Sequence, residues 1–488
     1  MADIFKNNRI TFKIKDVSID GNGIGVCDQN GMTVFCFGAD VGETVSGTVI
    51  KKTSSYMVAK PLKKASSENC PCYPVCGGCS LLHFPYERTL EIKENHVRDC
   101  LERIGGFKGV KIEPIIPSPV TSGFRNKAIY RFVKTKEGIR CGFFRRNSHD
   151  VVASDSCCCE KPLCRKVKNA ALDVLNQKGF SVYDELSGRG LLRALMVRVS
   201  VSGRAMVCLS VNSKRLPDAE SIAQDIMKSV PEVVSFYTHA NTSRTNNVLL
   251  GDFRLIAGEK TLTDYIGDAA FEIAPESFFQ VNPYATLKLY DKAFELATGG
   301  RTGPINMLDV YCGIGTIGIY FAKKCDNIKS VFGVDYTEAA ISEAAKAAHV
   351  NNIAANATFV AGDAEKVFES EAAGPFFSAA DTIVVDPPRK GLGDKMPDIL
   401  SGLTAKRLVY VSCNPATLAR DLVRFTALGW QIESVSPVDM FPFEGHVEVV
   451  SLLQKMSNTR ERTITLDVEM EDYHRIKNRT EVTADVTE

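Results

Sequence analysis

Leu308-Asp-Val-Tyr-Cys-Gly-Ile-Gly-Thr-Ile-Gly318 reads as an apolar strand, a glycine turn and an apolar helix that begins near Thr316. Gly313 and Gly315 let the backbone approach a ligand with no side chain in the way. With Gly318 they match the glycine spacing used for dinucleotides, and Asp335 closes the next strand, VFGVD, where a ribose-binding acid is expected. A nucleoside cofactor without a pyrophosphate, S-adenosylmethionine among them, uses the same loop and the same acid. A third strand ends at Gly362-Asp363, where a carboxylate or the backbone beside it would meet an adenine edge; the plainer reading of Asp363 is an acid at a helix start.

Outward from this loop, NMLDV, SVFGVD, ATFVAG, DTIVVD and RLVYVS read as buried parallel strands with helices between them, as in AAISEAAKAAH. This predicts a doubly wound, Rossmann-like α/β domain that binds its ligand outside the carboxyl ends of the strands. Two of those ends carry chemistry. Val385-Asp-Pro-Pro-Arg-Lys-Gly391 has two prolines that hold the chain extended, so Asp386 is expected to project into the crevice. Val411-Ser-Cys-Asn-Pro415 puts Cys413 at a strand end before a helix, whose start would favour a thiolate. Further on, Phe441-Pro-Phe-Glu-Gly-His-Val-Glu448 offers a carboxylate as general base if the last strands, GWQIESVSPVDM and HVEVVSLLQK, fold back as an antiparallel pair. His446 reads as structural.

With 488 residues, 44% hydrophobic and 24% charged, the chain is too long for one core and reads as multidomain. No charged leader with an apolar core opens it and no apolar run reaches membrane-spanning length, so a cytoplasmic protein without a membrane partner is expected. The net charge of +1 hides an uneven distribution: Gly123 to Lys168 carries twelve Lys or Arg against four acids. That segment is either a surface for phosphates or a solvated charged face.

The first sixty residues alternate in short segments, FKIKDVS, GIGVC, MTVFCF, ETVSGTVI and YMVAKPL, separated by turns at Asp20 to Gly23 and Asn30-Gly31. They predict a small antiparallel, OB-like barrel of the kind that often binds nucleic acid. The expected organisation is a barrel at 1–64, a central α+β domain at 65–270 with strands RALMVRVS and AMVCLSVN and helix SIAQDIMKSV, the α/β domain at 271–456, and an acidic tail at 457–488.

Sixteen cysteines in a reducing compartment suggest metal binding or catalysis instead of disulfides. Cys70-x5-Cys76-x2-Cys79 puts three thiols in one loop around Gly77 and Gly78, with Cys72 as a decoy for the first position. A fourth ligand must come from elsewhere, and spacing does not separate zinc from iron and sulfur.

Together these pieces resemble the RNA uracil-5-methyltransferase family, most closely its large-subunit (23S) ribosomal RNA branch. The likeness runs through nearly the whole chain: a barrel like the family's TRAM domain, the cysteine cluster, Gly123-Phe-Arg-Asn-Lys127, Ser277-Phe-Phe-Gln-Val-Asn282, LDVYCGIGT, DPPRKG, SCNP and HVE. The resemblance implies S-adenosylmethionine as cofactor, with Gln280, Tyr311, Asp335 and Asp386 binding or bordering it. It implies Cys413 as the nucleophile that adds to carbon 6 of a flipped or single-stranded uracil, and Glu448 as the base that removes the carbon 5 proton. It also implies a 4Fe-4S cluster held by Cys70, Cys76, Cys79 and Cys157, eight residues after His149, with zinc as the competing metal and Cys158, Cys159 and Cys164 as rival fourth ligands. A monomer acting on 23S ribosomal RNA is expected. Two residues depart from the family pattern: Asp335 replaces the usual Glu, and Glu444 stands where Thr is usual, which puts a second carboxylate near Glu448. The competing readings are a transfer-RNA enzyme of the same family, a nicotinamide-dependent oxidoreductase built on Gly313, Gly315, Gly318 and Asp335, and a non-enzymatic RNA-binding protein.

Overall fold

The computed structural model describes residues 5–62, 65–244, 251–369 and 374–456, so the acidic tail at 457–488 lies outside the described residues. Strands β1 (Arg9–Val17), β2 (Asn22–Cys27), β3 (Thr33–Phe37), β4 (Thr44–Lys52) and β5 (Tyr56–Pro61) form a closed barrel in the order β1-β2-β3-β5-β4. Alternate residues point inward, so Ile10, Phe12, Ile14, Val34, Cys36, Val49 and Met57 fill the interior. The expected all-antiparallel pairing fails at one place, because β3 and β5 run parallel, with Thr33 opposite Tyr56. An odd number of strands cannot alternate direction all the way round a closed ring.

Helix α1 (Tyr86–Asp99) follows the cysteine-bearing loop and continues into a wider turn at Cys100–Ile104. Although this stretch precedes the central sheet in sequence, Val97, Cys100, Leu101 and Ile115 pack into the core of the C-terminal α/β sheet. The central sheet has β6 (Lys127–Thr135), β7 (Gly138–Phe144), β8 (Val151–Ala153), β9 (Leu192–Val199), β10 (Ala205–Val211), β11 (Val233–Ala240) and β12 (Asp252–Gly258), in the order β12-β11-β10-β9-β6-β7-β8. Helices α2 (Pro162–Lys178) and α3 (Ala219–Ser229) pack against it. Every residue of β9 and β10 is buried, which is why both read as nearly continuous apolar runs.

A hairpin, β13 (Leu262–Ile266) and β14 (Ala269–Ile273), and helix α4 (Pro283–Thr298) lead into the catalytic-type sheet. Its elements are β15 (Ile305–Val310), α5 (Thr316–Lys324), β16 (Ile328–Asp335), α6 (Glu338–Val350), β17 (Ala357–Ala361), α7 (Ala364–Phe368), α8 (Gly374–Ala379), β18 (Thr382–Val385), α9 (Met396–Gly402), β19 (Arg407–Ser412), α10 (Pro415–Ala427), β20 (Trp430–Val438) and β21 (Glu448–Lys455). The strand order is β17-β16-β15-β18-β19-β21-β20. β15 to β19 pair in parallel, as the sequence predicts, while β21 runs antiparallel between β19 and β20. Strand order reverses between β15 and β18, and the crevice beyond their carboxyl ends is the place such sheets bind ligands. No helix among the described residues is long and apolar enough to cross a membrane.

Candidate active site

The glycine loop leaves β15 through Tyr311, itself in the left-handed region at φ 65°, and through Gly313 and Gly315 at φ 55° and 75°. A methyl group built on Gly313 would meet nothing within 4 Å, so this backbone borders open space. Asp335, at the end of β16, ties the loop down: one carboxylate oxygen accepts the Gly313 amide at 3.0 Å and the other the Thr337 amide at 2.9 Å. Asp363 caps α7 by accepting the Glu365 amide at 3.0 Å, so its plainer reading is realised in the fold. Tyr311 is half-buried, and burial pushes its phenol up to about 12.

Asp309 went unremarked in the sequence. It is fully buried in β15, where its carboxylate accepts the Gly318 amide at 2.9 Å and so joins the strand to the first turn of α5. Burial pushes it up to about 7, against the pull of that amide. A single acid inside an otherwise apolar strand was the available signal.

Gln280 lies just ahead of α4, in a segment stitched to the Gly123-to-Lys127 motif. Its carbonyl accepts from the Asn126 side chain at 3.3 Å, and the Asn126 amide bonds the Val281 carbonyl at 2.8 Å. Asn282 caps α4 through Ala285 and donates to Met440 O at 3.0 Å and Ser118 Oγ at 3.2 Å.

Three acidic groups meet at the crevice floor. Asp386 directly follows β18, Cys413 directly follows β19, and Glu448 opens β21. The register sets Ser412 opposite Val449, so the next pair outward is Cys413 and Glu448. Burial, then the charges of Glu448 and Asp386, push the Cys413 thiol up to about 11, while Arg389 pulls the other way. Burial and the two carboxylates thus act on this thiol in the direction opposite to the helix start. Glu448 is pushed up to about 8 by burial and then by Asp386, with Arg389 opposing. Asp386 rises to about 7 through burial and the charge of Asp309. Arg389, which the sequence offered only as part of DPPRKG, is therefore a cation acting on both Cys413 and Glu448. Its carbonyl accepts from the Asn414 side chain at 3.1 Å and from Thr417 Oγ1 at 3.3 Å, which anchors it to the start of α10.

Glu444 takes a different direction from Glu448. Its carboxylate forms an ion pair and hydrogen bond with Arg125. The exposed His446 ring stands edge-on to Phe441, with centroids 6.1 Å apart. Other cations of the basic segment are also engaged within the protein: Lys168 is buried and donates to the carbonyls of Ser154 and Asp155, and Arg146 covers the Phe37 ring at 4.2 Å.

The fold brings thiols of two distant segments together. Cys79 Sγ lies 3.7 Å from Cys159 Sγ, which lies 3.9 Å from Cys158 Sγ. Cys70 is in hydrogen-bonding contact with Cys158, and Cys157 with both Cys158 and Cys159. These contacts push the Cys157 thiol strongly down. Cys72 turns aside to donate to Ala153 O at 3.7 Å, and Cys164 is buried within the central core. Among the described residues no group of three His, Cys, Asp or Glu side chains is placed so that it could hold a metal ion.

Five parallel strands in this order, an acid-tied glycine turn at the switch point and β21 inserted antiparallel between β19 and β20 form the fold of a class I S-adenosylmethionine-dependent methyltransferase. The model of the tRNA (uracil-5-)-methyltransferase family matches residues 259–456. An uncharacterised RNA methyltransferase of Halalkalibacterium halodurans is 37% identical over 93% of this chain and 98% of its own length. One from Staphylococcus aureus is 34% identical over 93% of this chain and 99% of its own. Among solved structures, the Pyrococcus abyssi tRNA (uracil-54, C5)-methyltransferase in complex with S-adenosyl-L-homocysteine superposes with a TM-score of 0.72 at 28% identity, covering 91% of this chain and 100% of that one. The chain belongs to the RNA uracil-5-methyltransferase family and is an S-adenosylmethionine-dependent RNA methyltransferase.

Proposed function

We propose that this enzyme converts a uridine of 23S ribosomal RNA to 5-methyluridine by covalent catalysis, with Cys413 as nucleophile and Glu448 as base. The observation that carries the covalent part of this reading is the register of β19 and β21, which sets Glu448 beside Cys413 at the carboxyl end of the sheet; the choice of 23S ribosomal RNA follows from the resemblance alone.

Carbon 5 of uracil is a poor nucleophile until something adds to carbon 6. The Cys413 thiolate adds there, forming a carbon–sulfur bond and placing enolate electron density on carbon 5. Bound S-adenosylmethionine supplies a methyl group on a sulfonium sulfur, and carbon 5 takes that methyl, releasing S-adenosylhomocysteine. Glu448 then accepts the carbon 5 proton. The electrons of that carbon–hydrogen bond restore the double bond as the carbon–sulfur bond breaks, and Cys413 leaves as thiolate. Arg389 favours the thiolate and the Glu448 carboxylate, the two anions the cycle needs. Gln280, Tyr311, Gly313, Gly315, Asp335, Asp363 and Asp386 form the cofactor side. The nicotinamide reading gives these strand ends no use and falls with the family assignment.

Cys70, Cys76, Cys79 and Cys157 would hold a 4Fe-4S cluster, and the meeting of thiols from both segments supports it. The all-thiol donor set also suits zinc. Methyl transfer needs no electron, so the group would serve to join the two segments. Iron and sulfide content of anaerobically purified protein, with its visible absorbance, tests this.

A transfer-RNA uridine is the second reading, favoured by the Pyrococcus tRNA enzyme, which aligns along 91% of this chain. Mass mapping of 5-methyluridine in ribosomal and transfer RNA from a strain lacking the gene decides: loss from 23S RNA supports the proposal, and loss from transfer RNA alone refutes it.

A further inference from the structure

The turn that delivers Glu448 is held almost entirely by residues from outside the methyltransferase sheet. Phe443, at φ 62°, presents its carbonyl to the amides of Ser80 and Leu81 at 3.0 and 2.9 Å, directly after Cys79. Ahead of the turn, buried Lys93 donates to Asp439 at 2.5 Å and to Phe441 O at 2.8 Å, and Tyr86 donates to Asp439 at 2.7 Å. On the other side, Glu444 pairs with Arg125, whose guanidinium also lies 5.8 Å from the Phe441 ring centroid.

Arg125 in turn is part of the second thiol segment's frame. Its amide bonds the Cys159 carbonyl at 2.8 Å, its carbonyl accepts from Lys161 at 3.0 Å, and the Gly123 amide bonds Cys158 O at 2.7 Å. Both thiol segments thus reach the same turn, one through backbone bonds to Phe443 and the other through the Arg125–Glu444 pair. Four residues on, Glu448 enters β21 beside Cys413.

We propose that Glu444 is a positioning residue: through Arg125 it fixes the turn at 441–447 against the thiol-bearing segments and so aims Glu448 at the reacting carbon. The carboxylate that stands where the family usually has Thr is committed to a guanidinium and is not a second base. The proposal rests on the reading of Glu448 as base. It predicts that disturbing either thiol segment loosens the turn and slows proton removal while leaving the cofactor loop untouched, since Gly313 and Asp335 lie on other strand ends.

The test uses full-length, cluster-loaded protein with S-adenosylmethionine and bulk RNA from a strain lacking the gene. Four readouts are taken on Glu444→Ala, Glu444→Gln, Arg125→Ala and the double alanine variant: turnover, covalent protein–RNA adduct on denaturing gels, S-adenosylmethionine affinity, and amide hydrogen exchange over residues 439–449. Glu444→Ala is expected to lose on the order of tenfold to a hundredfold in turnover, the scale of a misplaced catalytic group. Adduct should persist, cofactor affinity should hold, and exchange in the turn should rise. Arg125→Ala should behave alike, the double variant should be no worse than the poorer single one, and Glu444→Gln should fall less than Glu444→Ala. Unchanged exchange in the turn, or single losses that multiply in the double variant, overturns the proposal. Complete arrest of adduct breakdown in Glu444→Gln also overturns it, because Glu444 would then be the base. Rapid adduct breakdown in Glu448→Gln refutes the assignment of Glu448 instead, and the exchange data still judge the clamp.

Discussion

Glu448 carries a stability cost that its neutral isostere should remove. In the folded protein its carboxyl is raised from 4.5 to about 8, first by burial and then by Asp386, and the residue is 6% exposed. A group raised on folding binds its proton more tightly in the native state. Its contribution to stability is intact below the unfolded value and is lost as pH rises through the folded one. At about 1.4 kcal/mol per pH unit, ionising Glu448 in place costs a ceiling of about 5 kcal/mol, of which about 3 develops between about pH 6 and pH 9. Glu448→Gln keeps the shape and never ionises, so it should gain that increment over the wild type across this interval. For a sheet domain of this size the increment is about 5 to 10 °C in Tm. Paired thermal melts of the two proteins, followed by a probe of the α/β domain, measure it. Glu448→Gln should melt above the wild type at the alkaline end, with the gap narrowing toward pH 6. Melting curves that shift in parallel with pH would falsify the claim that Glu448 is buried as an acid.

Cys413→Ala is predicted to abolish methylation while leaving S-adenosylmethionine binding intact by calorimetry, and appreciable turnover would remove the covalent mechanism. Glu448→Gln is predicted to accumulate a covalent RNA adduct on denaturing gels; its absence would point to another base. Since Cys413 must ionise to add and Glu448 must be unprotonated to accept the carbon 5 proton, kcat of the wild type is expected to climb with pH through about 8 and to keep climbing toward about 11. A profile flat from about pH 6 onward contradicts the Glu448 assignment. Asp335→Ala frees the Gly313 and Thr337 amides and should weaken S-adenosylmethionine binding on the order of tenfold or more, the scale of a lost charged hydrogen bond; tight NAD binding by the wild type would contradict the cofactor assignment.

Much of the α/β sheet was legible because its signals are local. Apolar runs flanked by helices give buried parallel strands, Gly315 starts α5 in the left-handed conformation, and Asn414 before Pro415 caps α10. The barrel was legible for the same reason, through strand alternation and turns at Gly21 and Gly31. Its parallel β3–β5 pair was not, because pairing direction follows from closing the ring and leaves no mark on either strand. Residues near 86–116 belong to the α/β core through packing alone: Ile112 and Ile116 line up beside β20, more than 300 positions away.

The sequence by itself determined that this is a methyltransferase of the RNA uracil-5 family, since the order of glycine loop, DPPRKG, SCNP and HVE is carried by contiguous residues. It also singled out Cys413 and Glu448 as the candidate reactive groups and Asp386 as a candidate neighbour of the cofactor. Tertiary structure alone decided how they relate. Glu448 stands beside Cys413 because β21 inserts antiparallel between β19 and β20, whereas Glu444, four positions earlier, is drawn off to Arg125. It also set burial, Glu448 and Asp386 around the thiol, which push it up. Charge interactions and burial depend on distances through space, and those distances are fixed only when remote segments pack together.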